Sequence, residues 1–217
     1  MKHLKTYKVL FEGIAGVDSN LPKIDRTREL SEDEFLKMLN ENCKNFSINN
    51  DELFRAKDKK FDLEFFTPNY RNAKPLAFPD FFNKIEGDPD YPVIRKKSLI
   101  GGTSKKTLKV LVSDNIYQVI PFDNSEIIFC PIVDLWGMSD DRRNDYGKSQ
   151  FVKGRPIGKE HFLSVNYNKD FTIPVDELEG IRSQFNLGGP DTGYEFFTSS
   201  PCLLVYENKL DWFHNNI

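Results

Sequence analysis

Residues 107–135 hold three closely spaced runs rich in Val, Ile and Phe, at 107–112, 116–121 and 126–135. They are parted by Ser113-Asp114-Asn115 and Asp123-Asn124-Ser125. β-Branched and aromatic residues suit a pleated, half-buried surface. Connections this short join antiparallel neighbours, because a parallel crossover needs a dozen residues or more. The stretch therefore predicts three antiparallel strands, and the rest of the chain must supply their neighbours and covering layers. Further strands are predicted around Leu53-Phe54, 98–104, 158–167 and 202–206.

Two helices are predicted. Ser31 with Glu34 three residues on makes a capping box, followed by Phe35, Leu36, Met38, Leu39 and Cys43 on one stripe of a helix over 31–44. The second covers 174–187, with Pro174 near its first turn, Val175, Leu178, Ile181 and Phe185 in register, and Gly188-Gly189 closing it. Glu177 and Glu179 diverge by roughly 200° on that helix and make no working carboxylate pair. A short helix can start at Pro79, inside an aromatic- and proline-rich loop over 58–92. At 217 residues the chain has material for one sizeable core. One domain is expected: 1–50 as a helical and loop layer, 51–206 as a β-rich core, 207–217 as a tail.

Thirty basic against 33 acidic side chains, net −3, lack the positive excess of a dedicated nucleic-acid or membrane-surface binder. Cys43, Cys130 and Cys202 are widely spaced, with no Cys-x-x-Cys pair, and the histidines are His3, His161 and His214. That spacing argues against a disulfide framework or a zinc site. No run suits a signal peptide or a membrane span, so a reducing cytoplasm is the expected compartment. Asp140, Asp141 and Asp145 are interrupted by Arg142 and Arg143, which oppose a cation, and no metal is predicted. Nor does the sequence carry a local signature that would join His161 to Cys130 or Cys202 in a thiol-nucleophile site; a structural histidine is expected.

The stretch from Tyr91 to Ser104 combines Pro92, the cations Arg95, Lys96 and Lys97, the apolar pair Leu99-Ile100, and a Gly101-Gly102-Thr103-Ser104 exit. It predicts a short strand with a serine-bearing edge and a backbone that a ligand approaches closely. Arg55 follows Leu53-Phe54, either as a snorkelling surface residue or as a guanidinium aimed into a cleft. Glu195 stands among Tyr194, Phe196 and Phe197, either on the solvent face of an edge strand or held in a cleft.

In chain order, Phe54-Arg55-Ala56, then Lys97-Ser98 through Gly102-Thr103-Ser104, then Tyr194-Glu195 give an arginine, serine, glutamate succession. Over about residues 50–206 it resembles the ADP-ribosyltransferase family, above all its small phage-encoded members and related bacterial toxins. The resemblance implies an α+β fold of two small, mainly antiparallel β-sheets forming a cleft, with flanking helices. It also implies NAD as substrate and a macromolecular acceptor, expected to be a protein. Glu195 would be the catalytic carboxylate, and Arg55 would bind pyrophosphate or ribose, assisted by Arg71 or Arg95. Ser98 would organise the nicotinamide pocket, with Thr103 and Ser104 as rivals, and Tyr91 or Phe66 would stack on the ring. The chemistry asks for these types: a carboxylate stabilises oxocarbenium character, and a guanidinium gives bidentate contacts to phosphate. Two departures stand. The serine motif is spread out, and Gly193 occupies the place of a glutamate or glutamine, which weakens the case for arginine or asparagine acceptors. The competing expectation is a non-enzymatic β-rich binding or virion-associated protein whose cations and aromatic loop serve an interface.

Overall fold

The computed structural model describes residues 27–47, 52–67, 98–131, 151–152, 155–156, 159–185 and 193–217. The expected helix at Pro79, the Asp140–Asp145 cluster and the site candidates Arg71, Tyr91 and Arg95 lie outside the described residues. No helix among the described residues is long and apolar enough to cross a membrane.

The described strands are β1 (Thr27–Glu29), β2 (Phe54–Ala56), β3 (Leu63–Phe66), β4 (Leu99–Gly102), β5 (Ile116–Pro121), β6 (Glu126–Cys130), β7 (Phe151–Val152), β8 (Arg155–Pro156), β9 (Leu163–Asn166), β10 (Glu195–Thr198) and β11 (Cys202–Tyr206). Nine of them form one sheet in the order β1-β3-β11-β5-β2-β4-β10-β6-β9, and β7 pairs with β8 apart from it. The expectation of two small sheets forming a cleft is thereby corrected. The physical reason is β2, which bonds on both sides: Phe54, Arg55 and Ala56 face Gln118, Tyr117 and Ile116 of β5, while Phe54 also faces Gly102 of β4. That Phe54–Gly102 pair is a narrow waist between a five-stranded half and a four-stranded half. Gly101 makes it feasible, because a Cβ there would stand 2.4 Å from the Phe54 carbonyl oxygen and 2.5 Å from the Phe196 ring.

A second correction concerns 107–112, expected as a strand. It lies in a helix, α2 (Lys105–Leu111), started by Ser104, whose Oγ accepts from the Thr107 amide at 3.3 Å. Leu108 and Val112, one helical turn apart, pack on Phe54, Ala56 and Ile116. Leu108, Leu111 and Val112 of that run thus cover the sheet from outside, while Val110 is exposed. Nor are the runs 116–121 and 126–135 antiparallel neighbours as expected, since β2, β4 and β10 stand between β5 and β6.

The capping box of α1 (Glu32–Asn42) forms as expected, the Ser31 amide donating to Glu34 at 3.1 Å and the Glu34 amide to Ser31 Oγ at 3.3 Å. The helix predicted at 174–187 is α3 (Val175–Ser183), and 158–167 resolves into a 3-10 turn (Lys159–His161) followed by β9. The expected tail at 207–217 is ordered: a 3-10 turn (Glu207–Lys209) leads into α4 (Leu210–His214), whose Phe213 is fully buried against Phe35 and Phe46.

Strand alternation sorts the core by face. One face carries Leu99, Tyr117, Val119, Phe129, Phe196, Cys202 and Leu204, covered by Leu178 of α3 with Tyr167 and Phe171. The other carries Leu63, Ile120, Leu203 and Val205 under α1 and α4, and Phe54, Ala56 and Ile116 under α2.

Candidate functional site at the waist of the sheet

Glu195 opens β10, a central strand, opposite Gly102 of β4 on one side and Cys130 of β6 on the other. It is therefore not on an edge, and it is buried, 5% exposed. Phe196 belongs to the face covered by α3, so alternation sends Glu195 to the α2 face. There β2 and β4 part after their single pair, and the gap is a shallow indentation lined by Ala56, Ile100, Gly101, Leu108, Leu111, Val112 and Glu195. Its walls are apolar apart from the carboxylate. Lys105 stands at the same cluster, its Nζ 4.6 Å from the centroid of the Phe54 ring.

The turn that delivers Glu195 is tied to the exit of β4. The Thr103 amide donates to the Tyr194 carbonyl at 3.0 Å, and the Tyr194 amide donates to Thr103 Oγ1 at 2.9 Å. Gly193 adopts φ +69°, and a Cβ on it would lie 2.6 Å from Ser104 Cβ, so this turn requires glycine. Thr103 and Ser104 thus stand against the turn that delivers Glu195, each hydroxyl already accepting from a backbone amide, Thr103 from Tyr194 and Ser104 from Thr107. Ser98 is also buried, but it lies four residues from Gly102, about 13 Å along the strand.

Arg55 goes the other way. Its guanidinium carbon sits 5.2 Å from the centroid of the Phe66 ring, and Phe66 belongs to the core cluster of Tyr117 and Cys202, on the face opposite Glu195. The fold thus makes neighbours of the strands bearing Arg55, Ser98 and Glu195, yet it does not turn the three side chains into one pocket. Arg55 and Phe66, both named from sequence, are brought together.

Sequence reasoning missed Arg182, which is only 2% exposed. Its Nε donates to the Pro131 carbonyl at 2.8 Å, Nη1 to Glu179 Oε1 at 3.2 Å and Nη2 to the Gly193 carbonyl, and its guanidinium carbon lies 4.3 Å from the centroid of Tyr194. The Tyr194 hydroxyl donates to Glu179. Burial, then that carboxylate, push the Tyr194 phenol up. The signal was present: Leu178, Arg182 and Phe185 recur at helical spacing, which puts an arginine inside the apolar stripe, whereas Val175, expected in that stripe, is 45% exposed.

The three cysteines are buried and outside any disulfide, and burial holds the Cys43 and Cys202 thiols protonated, against a nucleophilic role. His161 packs edge-on against Phe185 at 5.1 Å between ring centroids. Compared with family models, with curated proteins and with solved structures, the chain matches none.

Proposed function

We propose that this protein is an NAD-dependent ADP-ribosyltransferase in which the nicotinamide–ribose bond breaks beside Glu195. The observation that supports it is the row Phe54–Gly102–Glu195, which makes consecutive neighbours of three motif-bearing strands far apart in sequence and leaves Glu195 at an apolar indentation. As the bond lengthens, positive charge grows on the ribose, and a fixed anion in a water-poor site stabilises it. Nicotinamide leaves neutral with the electron pair of the broken bond. An acceptor nucleophile, on a protein under this reading, then bonds to the ribose carbon and gives up its proton. The residue types suit the nicotinamide end: Leu108, Leu111 and Val112 offer apolar walls beside Glu195, and Lys105 adds a cation at the same cluster. The indentation itself has room for about one water, so under this reading its walls part to admit NAD. Arg55 takes no part in this pocket. Buried cysteines outside any disulfide suit a reducing cytoplasm, that of the producing cell or of a host.

The placement of Arg55 on the opposite face favours a second reading, a binding protein without catalysis. Arg55, Lys57 and Lys59 lie over the buried rings of Phe66, Tyr117 and Tyr206, which gathers three cations along one side of the sheet, with Lys59 the most exposed. Nicotinamide release by the purified chain, with Glu195→Gln and Arg55→Ala beside it, separates the readings. Release lost in Glu195→Gln and kept in Arg55→Ala supports the waist site; no release and no NAD binding by the native chain leaves the binding protein.

A further inference from the structure

We infer that Arg182 is a positioning residue for Glu195, a clamp that fixes where β10 begins relative to β6. The inference rests on the reading of Glu195 as the carboxylate beside the reacting bond. Pro131 is the residue after Cys130, and Gly193 lies two before Glu195, so in this antiparallel pair both carbonyls lie just beyond the same end, next to the Cys130–Glu195 pair. One planar guanidinium on α3 donates to both, while stacking on the ring of the intervening Tyr194. A buried charge is costly unless fully paired, and an apolar residue one turn after Leu178 would complete the stripe at less cost. What an apolar residue lacks is a rigid fork that holds the ends of two strands in one plane. Glu179 balances the charge and holds the Tyr194 hydroxyl as well. From the opposite side, Thr103 grips the Tyr194 backbone, and Gly193 leaves no space beside Ser104. Tyr194 and Glu195 are thereby fixed from two directions.

The test uses the full chain and Arg182→Lys, whose single ammonium lacks the fork. Nicotinamide release is measured alongside amide hydrogen exchange. With the clamp, kcat falls about tenfold to a hundredfold while KM for NAD stays nearly constant. Exchange quickens over 193–198, and the strands at 116–121 and 202–206 keep native protection. Glu179→Gln, which keeps the shape and removes the charge partner, gives a smaller loss in the same direction and serves if Arg182→Lys does not fold. Native kcat in a folded Arg182→Lys, or a loss equal to its unfolded fraction, overturns the inference. If the native chain releases no nicotinamide, the proposed function falls, and exchange alone decides the clamp: unchanged protection at 193–198 overturns it, and lost protection upholds it.

Discussion

The two halves of the sheet each set a cation over a tyrosine beside a glutamate, Lys57 half-buried and Arg182 buried, and they use the arrangement differently. In the five-stranded half, Lys57 Nζ stands 4.8 Å from the centroid of Tyr117 and pairs with Glu64, which is fully buried and also accepts from the Phe61 amide at 3.2 Å. All partners except Tyr117 come from one short stretch, so the group pins the loop between β2 and β3. In the four-stranded half, Arg182 reaches from a helix to Pro131 and Gly193, which lie on separate segments. Its group ties three distant pieces together. The contrast teaches that a buried ion pair near one loop shapes that loop, while one spanning several elements sets where strand ends meet, which is where Glu195 sits.

The largest expected effects come from removing the cations. Lys57→Met strands the fully buried Glu64 carboxylate and should lower unfolding free energy in urea by about 3–5 kcal/mol. Arg182→Met strands the Pro131 and Gly193 carbonyls, at about 1–3 kcal/mol each. Phe213→Ala, deep in the five-stranded half, should cost a similar amount, about 3–5 kcal/mol. It should leave nicotinamide release per folded molecule unchanged, whereas Arg182→Met should not. Equal activity in these two would remove the functional contrast between the halves.

Next comes the waist. Gly101→Ala drives a Cβ into a backbone oxygen and should cost about 1–3 kcal/mol, separating the unfolding of the halves as read by tyrosine fluorescence and circular dichroism. Gly102→Ala meets the Leu108 side chain at 3.2 Å and the Tyr194 carbonyl oxygen at an ordinary contact distance of 3.4 Å, and should be milder. Should the order reverse, the waist is not where the halves are joined.

Alkaline pH sharpens the comparison further. Burial pushes up the Cys43 and Cys202 thiols and the Tyr117 phenol in one half, and the Tyr194 phenol in the other. A raised folded pKa means the native state keeps a proton that the unfolded chain releases. Their stabilisation is complete below the unfolded values, about 8.5 for Cys and 10 for Tyr, and is lost as pH rises above them. Each titrating group removes about 1.4 kcal/mol per pH unit. Lys57, pushed down by burial against the raising effect of Glu64, acts in the opposite sense: the native state gives up its proton first, which offsets part of the loss below about pH 10.4. Hydrogen exchange at increasing pH should therefore open the five-stranded half before the four-stranded one. The smallest effect is Ser104→Ala, about 1 kcal/mol from the lost cap of α2.

Features set by neighbours in sequence were legible beforehand. The capping box at Ser31 and Glu34 and the strands β5, β6 and β11, each taken singly, depend on a few adjacent residues. The pairing expected of β5 with β6 across Asp123-Asn124-Ser125 does not form, because β2, β4 and β10 stand between them. The helix at 105–111 was not, because Val and Leu at helical spacing in a short segment also fit a strand, and the Ser104 cap is what decides. The joining of Phe54, Gly102 and Glu195 in one row depends on register between strands dozens of residues apart, which no local pattern encodes. The same holds for the face each candidate takes: the order of Arg55, Ser98 and Glu195 was readable, and their divergence across the sheet was not. Arg182 escaped because arginine is expected at the surface, although its helical position was that of a core residue.

The most direct test of the waist site is the rate of nicotinamide release from NAD by the native chain and by Glu195→Gln, both verified as folded. The account predicts measurable release by the native protein and a fall of about a hundredfold to a thousandfold in the variant, with NAD still bound. Release at the native rate by Glu195→Gln would contradict it.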